Sequence, residues 1–167
     1  MQIYLVESSN TNLMHRAKEL SKILVAVDGS EVSIRAAMHA FDIANRSNIQ
    51  CTLYLVHIVP PQISIAHSSG YFGAVSPNYQ EEIKEEAGKW FKLISSKVRK
   101  SEHVRIINKV ISTGASVVTE IASYADKKEI DLIVIGATGK SGLRRLVLGS
   151  ISGGVAAHSH CSVLVVR

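Results

Sequence analysis

Five short aliphatic runs, each separated from the next by enough chain to hold a helix, restrict what this sequence can fold into. They are Ile23 to Asp28 (ILVAVD), Thr52 to Val59 (TLYLVHIV), Val104 to Ile111, Leu132 to Gly136 (LIVIG) and Val163 to Arg167. Each is rich in β-branched residues, and several end at turn or breaker residues, so they read as strands. Runs this apolar need cover on both sheet faces, which intervening helices supply through right-handed parallel crossovers. The expected fold is therefore α/β: a doubly wound, five-stranded parallel sheet with helices on both faces.

The segments between the runs carry the helical period. After Ser30, a plausible N-cap, Ile34, Ala37, Met38, Phe41 and Ala44 fall at spacings of three and four. From Pro77 to Ser101, Ile83, Ala87, Trp90, Phe91, Ile94 and Val98 share one face, with Glu81, Glu82, Lys84, Glu85 and Glu86 mostly off it. Trp90 and Phe91 lie on that period and read as core rather than as a base-stacking platform. Val118, Ile121, Ala122 and Ala125 mark a third helix over Val117 to Ala125. Pro60 and Pro61 stop the second strand, and residues 62–77 lack a period, which predicts a mobile loop beside a strand end. Residues 1–21 precede the first strand as an N-terminal extension. Its IYLV at Ile3 to Val6 is too short to decide between an added edge strand and a tail.

Composition narrows the class. At 167 residues, 46% apolar and 20% charged, the chain suits one globular domain and is neither disordered nor membrane-spanning in pattern. Its start lacks a basic region followed by a long apolar one, so a cytoplasmic protein is expected. Cys51 and Cys161 lack CxxC spacing and sit beside or within strand-like runs, as buried thiols of a reducing compartment do. The net charge is +5, but the basic residues are spread without aromatic interleaving, which favours a solvated surface over nucleic-acid binding.

In open α/β sheets, ligands bind beyond the carboxyl ends of the strands, where strand order reverses. Two strand ends carry unusual residues: Asp28-Gly29-Ser30 after the first, and Gly136-Ala137-Thr138-Gly139-Lys140-Ser141-Gly142 after the fourth, followed by Gly149-Ser150-Ile151-Ser152-Gly153. If those strands are neighbours, both segments face one crevice. Glycines let backbone approach an anion closely, and Gly149-Ser150 opens a helical segment whose free N–H groups favour negative charge. Ser150 and Ser152 add hydroxyls, and Lys140, Arg144 or Arg145 could add charge.

The spacing Gly136-x2-Gly139-x9-Gly149-Ser150 resembles the ATP-binding motif of the universal stress protein family, and AVDGS at 26–30 is similar to that family's first strand and turn. The likeness covers residues 22–167 as one domain, with further landmarks at His57-Ile58, Gly114, Asp131 and the terminal VLVVR. It implies strand order 3-2-1-4-5, a stress-response regulatory role and an adenine nucleotide, ATP with AMP or cyclic AMP as alternatives, with or without magnesium. It implies that Asp28 holds the ribose or adenine end, that the backbones of Ala26 and Ile58 border the base, and that Val27 belongs to the same binding site. Ile135, Gly136, Gly139, Gly149, Ser150, Ile151 and Ser152 would surround the ribose and phosphates. It also implies a homodimer through Val163 to Arg167. Ala26 replaces a proline found in some ATP-binding relatives, and contacts from His67 to Tyr71 do not transfer.

Rival chemistries fit less well. A Walker A loop needs glycine five positions before Gly139, where Val134 stands, and a G-x-S-x-G elbow needs glycine where Leu143 stands. His158, His160 and Cys161 lack a second cluster at zinc spacing. His57 reads as a packing residue rather than a base, and Asp28 has the competing role of a turn residue. No catalytic residue is assigned. A slow ATPase, and a nucleic-acid or protein interaction module with structurally held nucleotide, remain as alternatives.

Overall fold

The computed structural model describes residues 4–6, 20–47, 49–60, 78–99, 101–138 and 148–167. The elements are β1 (Tyr4–Val6), β2 (Lys22–Ala26), α1 (Glu31–Asn45), β3 (Cys51–Val59), α2 (Tyr79–Lys97), β4 (Val104–Ser112), α3 (Val117–Lys128), β5 (Leu132–Gly136), α4 (Ser150–His158) and β6 (Ser162–Val166). One sheet runs in the order β1-β6-β5-β2-β3-β4. β2 to β6 are the five expected strands and pair in parallel, so their order is the expected 3-2-1-4-5. The sixth strand, β1, comes from the N-terminal extension and pairs antiparallel with β6.

Alternation along the strands divides the core between the two sheet faces. Ile23, Val25, Leu53, Leu55, Val134 and Leu164 face α1 and α2, where Ala36, Ala37, Ala40, Phe41, Ala87, Phe91 and Ile94 meet them. Leu24, Val56, Ile58, Ile133, Ile135, Val163 and Val165 face the other way, onto Ile121 and Ala125 of α3 and Val155 of α4. Buried alanines at 36, 37, 40 and 44 let α1 lie close against the sheet. Burying each large aliphatic side chain stabilises the fold by roughly 1.5–3 kcal/mol, so this double core fixes both the sheet and its register.

Caps set the helix starts. Ser30 accepts a hydrogen bond from Ser33 N at 3.2 Å, and Ser116 accepts one from Thr119 N at 3.1 Å. The carboxylate of Asp131 accepts from Ser21 N, Ser21 Oγ and Lys22 N, each at 2.9 Å, and so ties the start of β2 to the start of β5. α2 is shorter than the expected 77–101, ending at Lys97 before extended Val98. β2 ends at Ala26, yet Val27 N still donates to Val56 O at 2.8 Å before the chain turns away at Asp28. The loop expected over 62–77 lies outside the described residues.

Candidate functional site

β2 pairs with β5 on one side and β3 on the other, so the connections leave the sheet in opposite directions beyond Ala26 and Ile135, which are register partners. A cleft of about 510 Å³ lies there, within the size range of small-molecule sites. It is lined by Ala26, Val27, Asp28, Ile58, Ile135, Gly136, Gly149, Ser150, Ile151 and Ser152, which are ten of the eleven expected residues. The eleventh, Gly139, lies outside the described residues, as do Lys140, Arg144, Arg145 and His67 to Tyr71.

The first wall is the turn after β2. Asp28 Oδ1 accepts from Ser30 N at 3.0 Å and from Ser30 Oγ at 2.6 Å, an Asx turn that prepares Ser30 to cap α1. Ser33, buried in the first turn of α1, donates from Oγ to Ser30 O at 2.9 Å. Asp28 thus serves the turn, the competing role weighed from sequence, and it also lines the cleft. Gly29 takes φ +82°, and the indole of Trp90 fills the space beside it. His57 Nδ1 lies 2.8 Å from Val27 O, a carbonyl, so this nitrogen carries the proton and donates. The His57 ring meets Trp90 edge-on with centroids 5.1 Å apart.

The second wall is the end of β5 and the start of α4. A Cβ on Gly136 would come within 3.0 Å of Val32 Cγ1 and 3.3 Å of Ser33 N, so glycine lets the α1 N-terminus sit against β5. Gly149 N donates to Ala137 O at 2.8 Å, and a Cβ on Gly149 would lie 2.9 Å from that same oxygen. Gly149 is the N-cap residue of α4, whose first-turn amides have no partner within the helix and carry the positive end of its dipole. Ser150 is exposed at this end. Ser152 is 2% exposed and aims its hydroxyl inward, 2.9 Å from Ala137 O and 3.0 Å from Gly149 O. Its proton is therefore directed to the turn rather than to the cleft.

Sequence reasoning did not assign to the site Val117 and Ile121, which line the cleft from α3, or Leu148, and it placed Ala137 and Thr138 only as part of the segment facing the crevice. The signal for α3 was its position: it starts just after β4, beyond the same carboxyl edge of the sheet. Asp28 carries the one carboxylate among the described lining residues. Among the described residues no cluster of three or more His, Cys, Asp or Glu could hold a metal. His158 Nδ1 instead lies 2.8 Å from Gly154 O in the last turn of α4, and His160 Nε2 is 3.9 Å from Asp126 Oδ2. Cys51 and Cys161 are free thiols, and burial raises both pKa values, Cys51 to about 11. No helix among the described residues is long and apolar enough to cross a membrane.

A parallel five-strand core wound in both directions, with a cleft at its reversal point and a glycine-opened helix at the rim, defines a doubly wound α/β domain. The chain belongs to the universal stress protein family, whose model matches residues 19–167. It is 36% identical over 146 residues to Universal stress protein MJ0531 of Methanocaldococcus jannaschii, covering 87% of this chain and 81% of that one. Its fold is similar to that of the universal stress protein UspA from Lactobacillus plantarum, with TM-score 0.66, 26% identity, and 90% and 99% of the two chains covered. Two more distant structures share the fold at TM-score 0.62. One is a universal stress protein in complex with cAMP, 22% identical, with 90% of this chain and 98% of that one covered. The other is from Archaeoglobus fulgidus in complex with dAMP, 20% identical, with 90% and 100% covered.

Proposed function

We propose that this chain binds an adenine nucleotide, ATP in the first instance, in the cleft between β2 and β5, and acts in the cytoplasm as a stress-response regulatory module. The observation that carries this reading is the start of α4: Gly149 brings first-turn amides that have no partner within the helix to the rim of a cleft whose walls are apolar at Ala26, Ile58, Val117 and Ile121. Donors at one end and apolar walls at the other suit a phosphate group joined to a base. Asp28 would hold the ribose or adenine end, and Gly136, Gly139, Ser150, Ile151 and Ser152 would surround the ribose and phosphates. The cAMP and dAMP complexes of the two structural neighbours support this class of ligand. Two copies would associate through Val163 to Arg167.

Calorimetric titration of nucleotide-stripped protein with ATP, ADP, AMP and cyclic AMP, each with and without magnesium, tests the reading. Saturable binding is expected for the parent chain and its loss in Gly149→Val and Gly139→Val. Silence toward all four ligands, or full affinity in both variants, overturns it.

A further inference from the structure

The β1 strand lies upstream of the family match, which begins at residue 19, yet it occupies the outer edge of β6. Its register places Tyr4 opposite Val165, Leu5 opposite Leu164 and Val6 opposite Val163. Val166 O accepts from Ala137 N at 2.7 Å, so the backbone groups of Val166, and by alternation those of Leu164, face the β5 side. Those of Val163 and Val165 therefore point outward, to the edge that β1 covers. Tyr4 and Val6 stand at the two hydrogen-bonding positions, and Leu5 at the non-hydrogen-bonding one between them.

The outer edge of β6 is also self-complementary. Val163-Leu164-Val165 is symmetric about Leu164. A second copy paired antiparallel about that residue would set its Val163, Leu164 and Val165 opposite Val165, Leu164 and Val163 of the first. Tyr4-Leu5-Val6 takes those three places residue for residue, with leucine at the centre in both cases. β6 has neither a charged residue nor a proline from Ser162 to Val166, the usual devices that keep an edge strand from pairing with another chain. The device here is β1.

We propose that β1 is an intramolecular mimic of a partner's β6: it caps the edge in cis, and two copies associate through β6 only when β1 leaves. The proposal rests on the β6-to-β6 pairing advanced above. β1 has three residues against the nine of β3 or β4, which makes it the short and replaceable member of the sheet. The occupant of the edge thereby sets the association state.

Sedimentation across a concentration series tests this in the full chain without nucleotide, so its result is independent of ligand binding. Val6→Pro removes the amide that faces Val163 and is expected to tighten self-association at least tenfold over the parent chain. Leu5→Cys with Leu164→Cys, in a Cys161→Ser background, locks β1 once oxidised and is expected to stay at the 18.1 kDa monomer mass throughout, regaining parent behaviour on reduction. Parent and Val6→Pro chains that both remain monomeric would overturn the pairing of β6 edges. Equal dimerisation of both, or dimerisation of the oxidised lock, would overturn the cap.

Discussion

The indole of Trp90 stands where a side chain on Gly29 would have to go: its Nε1 lies 2.7 Å from the position of an ideal Cβ. Gly29 also has φ +82°, so two separate constraints require glycine in the turn that follows β2. Through this contact α2 braces one wall of the cleft.

Gly29→Ala is therefore expected to cost about 2–4 kcal/mol, from left-handed backbone strain and overpacking together. In a Trp90→Ala background the packing part disappears and the cost should fall to roughly 1–2 kcal/mol. Urea unfolding of the four chains in this cycle measures the difference. Equal costs in the two backgrounds would mean that the indole does not brace the turn.

Asp28→Asn keeps an oxygen that can accept from Ser30 N and Ser30 Oγ, so the Asx turn should persist and stability change by less than about 0.5 kcal/mol. Asp28→Ala loses the turn and should cost about 1 kcal/mol. Under the proposed function, nucleotide affinity falls about tenfold in both, roughly 1.4 kcal/mol. An Asn variant with parent affinity would confine Asp28 to the turn.

Ser150 and Ser152 should separate cleanly. Ser152→Ala removes a buried hydroxyl bonded to the turn and should cost about 0.5–1.5 kcal/mol of stability. Ser150→Ala, at an exposed position, should leave stability within about 0.5 kcal/mol while weakening nucleotide binding roughly three- to tenfold. Thermal unfolding paired with calorimetry reads both effects, and the reverse pattern would exchange the roles assigned to the two hydroxyls.

Burial, reinforced by the nearby Asp131 charge, raises the Cys51 thiol from its ordinary 9.0 to about 11. Between those values the unfolded chain releases a proton that the folded chain keeps, so this group's contribution to stability falls as pH rises through 9 to 11. The loss reaches at most about 2–3 kcal/mol. The stability difference between the parent and Cys51→Ala should be constant from pH 6 to 8 and fall above 9. A difference that stays level to pH 11 would show that the thiol ionises as it does in water.

The aliphatic runs and the helical period between them were enough to place β2 to β6 and α1 to α3, because burial on both sheet faces leaves a local pattern that sequence preserves. Gly136 and Gly149 were legible from their spacing and read as letting backbone approach an anion, while the structure adds that a side chain there would strike Val32 or the carbonyl of Ala137. The walls contributed by Val117 and Ile121 were not legible as such, since their apolar character is equally that of an ordinary helix face.

By itself, then, the sequence determined the wound α/β class, the strand order through family resemblance, and the residues that gather at the carboxyl ends of β2 and β5. Only the tertiary structure decided that Ser152 turns its proton toward Ala137, that Trp90 closes on Gly29, and that Tyr4 to Val6 occupy the edge of β6. The physical reason is common to all three. A strand or helix follows from neighbours in sequence, whereas the direction of a hydroxyl, the ring beside a glycine and the occupant of a sheet edge depend on groups that meet only after the chain has folded.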